Sequence, residues 1–404
     1  MHPTRRPGVP AAALVLLAAG LGAPAPAIAA GPPTWAGTTK AVFGGDSFVV
    51  GPVSDGRRLW TLELPAQRPA LLRSRSIRTG RLVSSVRVEV PRSASATVVG
   101  QSEEAPAPQL VIGRKVGAVT GTWCDVEEEE RGGGAWCLGA RSFYARFSLR
   151  TGRARDGKLT AAPRELVGGD RPTELVRRPG RRTALRDVVT RRTVLTAPGN
   201  ADDFEGAGRF VAWKVGSSRW GWDAMRVVER DTGRRRYSLP LRRIMDAVGR
   251  KTGDDAPWPE VATLAPGGTV DLHVFYYAPR VHPVFVDERG RVRRLEATFR
   301  DATAFTTRVR GGRVLVSAES DGDPGDGCVR TSSWLTDRTG RVGTTFRTVR
   351  ATKRLRLAND PVFVSPTAIL WGEQDDNGGP FPYRYRVLPD ARDLTLTTGG
   401  RPAC

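Results

Sequence analysis

Asp271 and His273 lie two positions apart in the run Val270-Asp271-Leu272-His273-Val274-Phe275. Alternate residues of an extended strand share a face, so a carboxylate and an imidazole would stand side by side. Such a pair can orient a general base. A histidine hydrogen-bonded within a sheet fits the same pattern and is the preferred reading. Asp321, Asp323 and Asp326 resemble a calcium loop whose spacing is one residue out of step with D-x-D-x-D-G. Asp375 and Asp376 form a second candidate for Ca²⁺. Trp220 and Trp222, with Asp223, Phe381 and Tyr383, offer aromatic faces that can stack on a sugar or clamp a cation. The sequence contains no G-x-S-x-G elbow, H-E-x-x-H or P-loop. Catalytic residues are therefore left unassigned. No cofactor is expected, with Ca²⁺ as the one candidate.

The charge balance points elsewhere. The 404 residues hold 63 Lys+Arg against 42 Asp+Glu, a formal charge of +21. Only six of the cations are lysine, a skew that matches GC-rich bacterial coding. Coding bias explains Arg over Lys but not the excess over acids, which favours an anionic partner. No nucleic-acid-binding motif is present, so no specific nucleic-acid role is expected.

Residues 1–30 read as a secretory signal peptide: Arg5 and Arg6 precede the apolar run Ala11–Leu21, and Ala27-Ile28-Ala29 supplies a small-residue cleavage site. The mature chain is expected to lack a transmembrane segment and to act as a monomer outside the cell or in the periplasm. In such a compartment Cys124, Cys137, Cys328 and Cys404 favour two disulfides, with Cys124–Cys137 across one hairpin and Cys328–Cys404 left to pair.

These residues must be held by strands, because amphipathic helical periodicity is confined to Leu241–Val248. A phrase recurs seven times: a β-rich run, a turn ending in Thr-Gly-Arg or a relative, and another β-rich run. Its anchors are Gly80, Gly152, Arg191, Gly233, Gly290, Gly340 and Ala391. A Gly-led alternating strand precedes most of them, as in GRFVAWKVG at 208–216. A period of roughly 50 residues made of short strands predicts an all-β propeller of seven four-stranded blades over 31–404. Insertions are expected at about 91–108 and 124–137. Thr38–Phe43 and Leu394–Thr398 are expected to join the chain ends. Six or eight blades, or two sandwiches, fit the same pattern. The Asp-x-x-Thr-Gly turns resemble those of TolB-like, WD-like and quinoprotein-type propellers. That resemblance implies architecture and no particular activity.

Propeller geometry sends second-to-third loops to one face and third-to-fourth turns to the other. The acidic and aromatic loops then form one face. The Arg-rich turns form a basic face that includes Arg153, Arg234, Arg235, Arg236, Arg293 and Arg294. The expected function is non-catalytic binding of a protein partner or an anionic envelope polymer. Two alternatives stay open. One is an extracellular hydrolase or lyase using loop carboxylates on a polysaccharide. The other is a quinoprotein-like dehydrogenase with a Ca²⁺-anchored cofactor.

Overall fold

Five of the seven turn anchors lie among the described residues, and their chemistry explains the recurring Thr-Gly-Arg spelling. In the computed structural model, Gly80, Gly152, Arg191, Gly233 and Gly290 all adopt left-handed φ values of 61–73°. A residue of this conformation closes a short hairpin through a bulge, which is why glycine recurs there. The threonine one residue earlier accepts the N–H two residues on: Thr232 Oγ1 takes Arg234 N at 3.2 Å, and Thr79, Thr151 and Thr190 repeat the contact. At the turn's start Ser76, Ser148, Asp187 or Asp287 accepts backbone N–H groups with its side chain. Such side-chain acceptors favour the turn over any continuing strand.

The structure describes residues 34–38, 47–65, 70–88, 109–128, 135–160, 164–177, 182–216, 222–249, 258–295, 299–321, 329–337, 348–350, 355–375, 382–388 and 395–397. Strand β1 spans Thr34–Thr38. The first blade comprises β2 (Ser47–Ser54), β3 (Arg58–Pro65), β4 (Ala70–Ser76) and β5 (Leu82–Val88). The second comprises β6 (Gln109–Ile112), β7 (Val116–Glu128), β8 (Ala135–Ser148) and β9 (Ala154–Thr160). The third comprises β10 (Leu166–Val167), β11 (Thr173–Val176), β12 (Thr183–Asp187) and β13 (Thr193–Ala197). The fourth comprises β14 (Ala201–Ala207), β15 (Phe210–Val215), β16 (Ala224–Glu229) and β17 (Arg235–Pro240). Each is an antiparallel meander.

Helix α1 (Leu241–Val248) follows and turns Leu241, Ile244 and Val248 inward, at helical spacing. Next come β18 (Trp258–Leu264), β19 (Val270–Val281), β20 (Val284–Val286), β21 (Val292–Arg294), β22 (Phe299–Arg310), β23 (Arg313–Asp321), β24 (Val329–Asp337) and β25 (Thr348–Arg350). The last blade holds β26 (Leu355–Phe363), β27 (Ile369–Asp375) and β28 (Pro382–Leu388), and β29 (Thr395–Thr397) follows.

The seven-blade count is corrected here: the propeller has five four-stranded blades. Residues 258–350 do not divide into two more. Strand β19 runs for 12 residues and pairs with β22 from Leu272↔Thr307 to Val281↔Phe299. This pairing fuses two repeats into one seven-stranded sheet and leaves β20–β21 as a separate hairpin. The chain ends do join, with different partners from those expected. Strand β1 pairs antiparallel with β28, from Thr34↔Arg386 to Thr38↔Pro382, and is the fourth strand of the last blade. Strand β29 pairs instead with β24 and β25.

The core lies between successive blades, not in a single centre. Trp60, Leu62 and Leu72 of the first blade meet Leu110, Val119 and Phe147 of the second. Leu185 meets Val211 and Trp213 across the next junction but one. Leu59 and Ile77 meet Leu370 and Val387, so the first blade also packs on the last. Strands sandwiched in this way bury both faces, as Phe210–Trp213 do. No described helix is long and apolar enough to cross a membrane.

Candidate functional site

The first-to-second and third-to-fourth turns of each of the first four blades open on the same face. Backbone bonds tie them: Ile77 N to Arg57 O (3.2 Å), Leu149 N to Lys115 O (3.1 Å), Val188 N to Pro172 O (3.1 Å) and Arg230 N to Arg209 O (2.9 Å). The five first-to-second turns of the blades, at residues 54–57, 112–114, 168–170, 206–208 and 363–366, and two hairpin turns of the seven-stranded sheet, at 266–269 and 309–311, converge on a cavity of about 640 Å³.

Glycine makes this convergence possible. A Cβ on Gly206 would stand 2.2 Å from Gly168 O, and one on Gly169 would stand 2.6 Å from Gly208 O. Only bare backbone lets the third and fourth blades meet at the rim. Arg230 lies directly behind this wall. The third-to-fourth turns of the first three blades place Ile77, Leu149 or Val188 at its position; the fourth places a guanidinium that is 1% exposed. Arg230 Nη2 donates to Gly168 O and, at 3.4 Å, to Phe210 O, stapling two blades together. Burial lowers its pKa to about 10, against the attraction of Asp231 and Asp170.

A groove of about 1160 Å³ runs outward from the cavity across the first three blades. Asp55, Arg57, Gly113, Arg114 and Asp170 line both spaces, so the two are continuous. Six cations line the groove: Arg57, Arg58, Arg114, Lys115, Arg150 and Arg171. Its three acids are already engaged. Asp55 accepts Arg57 N (2.8 Å), Arg58 N (2.7 Å) and Trp60 Nε1 (2.8 Å). Asp170 lies 4.0 Å from Arg114. Asp187 accepts Arg171 Nε. Burial would raise the Asp187 carboxyl, but the N–H of Thr190 and the Arg171 guanidinium outweigh it and hold the pKa low. Arg57, Arg58, Lys115 and Arg150 are exposed and have no carboxylate partner among the described residues.

The residues singled out by sequence fall elsewhere. Trp222 is corrected from a ligand platform to a core residue: it is 3% exposed and packs with Met225 and Leu239. Asp223 is exposed beside Gly216. Tyr383 pairs through its backbone with Gly37. Trp220 and Phe381 lie outside the described residues, as do Asp323, Asp326 and Asp376. Asp321 and Asp375 sit at strand ends. The described residues contain no group of three His, Cys, Asp or Glu placed to hold a metal ion. Within 124–137, the described residues 124–128 and 135–137 are strand, with Cys124 opposite Ala140 and Cys137 opposite Val126. The Cys side chains, Cys328 and Cys404, and residues 1–30 and 91–108 lie outside the described residues.

Asp271 and His273 form no dyad. Arg310 holds the Asp271 carboxylate at 3.2 Å, and His273 Nδ1 pairs with Thr306 Oγ1 at 2.8 Å. Arg153, Arg234, Arg235, Arg236, Arg293 and Arg294 are exposed on the turn face. Acids share that face, however: Glu229 lies 3.9 Å from Arg234 and Asp287 lies 3.7 Å from Arg293. Sequence reasoning missed the glycine-ringed cavity. Its signal was the glycine that leads each second strand.

No family model matches the chain, and no curated protein matches it. Among solved structures it is similar to an ulvan lyase from a polysaccharide lyase family, at 11% identity over 89% of this chain and 98% of that one, with a TM-score of 0.41. It is likewise similar to a eukaryotic initiation factor, at 11% identity over 93% of each chain, with a TM-score of 0.39.

Proposed function

We propose that this is a secreted, non-catalytic propeller that grips an anionic envelope polymer on its turn face. One observation carries the reading: Arg57, Arg58, Lys115 and Arg150 line a single groove without carboxylate partners among the described residues. Cations left unpaired along a channel attract a linear polyanion and release its counterions. The continuous cavity is large enough to bury one small unit of such a chain. The carboxylates here are poor candidates for hydrolase or lyase chemistry. Asp55 is saturated by N–H donors and Asp187 is committed to its turn and to Arg171.

The test is a titration of the mature protein with a soluble polyuronate at several salt concentrations. Affinity should fall steeply with salt. Replacing Arg57, Lys115 and Arg150 together by Ala should weaken it by about tenfold or more. Binding that is indifferent to salt and to these three changes would overturn the reading. Sequencing the N-terminus of exported protein tests the signal peptide: a start near residue 31 is expected.

A further inference from the structure

Three large apolar side chains are exposed among the described residues: Leu82 (50%), Val83 (47%) and Val189 (42%). All three lie at third-to-fourth turns, and so on the turn face. Leu82 and Val83 open β5, directly after the turn anchored by Gly80. Val189 sits inside the turn of the third blade, between Asp187 and Arg191. The turn itself does not call for a valine there. The turns are matched by the bonds Gly80 N to Ser76 O, Gly152 N to Ser148 O, Arg191 N to Asp187 O and Gly233 N to Glu229 O. In that match the position of Val189 carries Arg78, Arg150 and Asp231 in the sister turns. Apolar side chains left in water forgo the gain of burial. Where they gather beside charge, they mark contact with another surface.

The charge beside them is unbalanced. Arg78, Arg81, Arg153 and Arg192 belong to the same turns of the first three blades and are exposed. None lines the groove, and none has a carboxylate partner among the described residues. Turns farther round the ring differ on both counts. In the fourth blade Glu229 lies 3.5 Å from Arg209 and 3.9 Å from Arg234, and in the β20–β21 hairpin Asp287 holds Arg291 at 2.8 Å. Neither of those turns exposes a large apolar side chain. Unpaired cations and exposed apolar groups thus coincide over the first three blades.

We propose that this sector of the turn face docks onto an anionic lipid surface. A bilayer interface answers both features at once, since its headgroups are negative and its acyl boundary accepts apolar side chains. Arginine suits such a boundary, because its stem can lie along apolar material while the guanidinium stays with the phosphates. A soluble polyanion would engage the arginines alone and leave Leu82 and Val83 in water. The inference goes beyond the polymer reading and does not rest on it, because Leu82, Val83 and these four arginines line no part of the groove.

Co-sedimentation of the full chain with vesicles tests this, using phosphatidylcholine alone and phosphatidylcholine with about one-third phosphatidylglycerol. Binding to neutral vesicles, to which residues 1–30 contribute equally in every variant, is subtracted as the baseline. A clear excess on the anionic vesicles is expected, falling with salt. Leu82→Ser with Val83→Ser should weaken it by about tenfold or more, and Val189→Ser several-fold. Arg78→Gln, Arg81→Gln and Arg153→Gln together should also weaken it by about tenfold or more. The melting temperature should hold, because all these side chains are exposed. Val83→Trp reports on the site itself: its added emission should shift to the blue with anionic vesicles and not with a polyuronate. Polyuronate binding should survive Leu82→Ser with Val83→Ser, so the two readings fail separately. No excess on anionic vesicles, undiminished binding in the apolar variants, or an unshifted Val83→Trp emission would overturn the proposal. So would a dimer that Leu82→Ser with Val83→Ser dissolves in sedimentation velocity, since a second copy of the chain would then cover the patch.

Discussion

The Tyr237 hydroxyl donates to the carbonyl of Gly268 at 2.6 Å, joining the fourth blade to the turn that opens the seven-stranded sheet. Both partners are buried. Deleting the donor leaves a carbonyl without its bond, at a cost of about 1–3 kcal/mol. Tyr237→Phe should therefore lower the unfolding free energy by that amount, read as a lower urea midpoint at an unchanged slope. A midpoint equal to that of the wild type would show that water replaces the bond.

The glycines at the cavity rim should differ sharply in tolerance. At Gly206 a Cβ would meet the Gly168 carbonyl at 2.2 Å, and neither backbone can retreat without parting two blades. Gly206→Ala should cost about 2–3 kcal/mol, in the upper range of overpacking. At Gly267 nothing lies within 4 Å, and φ is +94°. Gly267→Ala should cost only the backbone strain, roughly 1 kcal/mol. Paired melting curves check the order, which reverses if φ alone decides.

Glu205 sets a pH dependence. Its half-buried carboxyl sits where β14 meets β18 and accepts the Leu264 N–H. Burial pushes its pKa from 4.5 to about 8, opposed by the Leu264 bond and reinforced by Asp203. The unfolded chain ionises first, so this group's stabilisation is full below about 4.5 and is lost as pH rises through 8. Glu205→Gln should melt close to wild type at pH near 4 and increasingly above it towards pH 8–9. A temperature difference that stays constant over that range would refute the assignment.

Asp187 couples stability to the groove. Its folded pKa is held low, so its contribution is present above the unfolded value near 4 and disappears as pH falls through the folded one. Asp187→Ser restores the residue of the first two turns, Ser76 and Ser148, but leaves Arg171 with Asp231 as its remaining carboxylate partner, at 3.3 Å. The variant should lose about 1–2 kcal/mol of stability. It should nevertheless bind a polyuronate more tightly, since the groove lining loses one negative charge. Weaker binding would show that Arg171 must be held in place to act.

What could be read from the sequence was local. The five described turn anchors fall in the left-handed region even where arginine replaces glycine, because Thr190 and Asp187 specify the turn through their own hydrogen bonds. Helix α1 was legible from the spacing of Leu241, Ile244 and Val248. The blade count was not, since it depends on whether β19 stops or continues into its pairing with β22, a register between distant segments. Trp222 was misread for a related reason. An aromatic in a Gly-rich loop looks available, and only the neighbouring strands reveal that it is covered.

The pairing of β1 with β28 also bears on the order of folding. The last blade lacks its outer strand until β1, far away in the sequence, has met β28. Such a long-range contact is slow to form. The first four blades are meanders that close from local pairings, so the ring is sealed last at that seam.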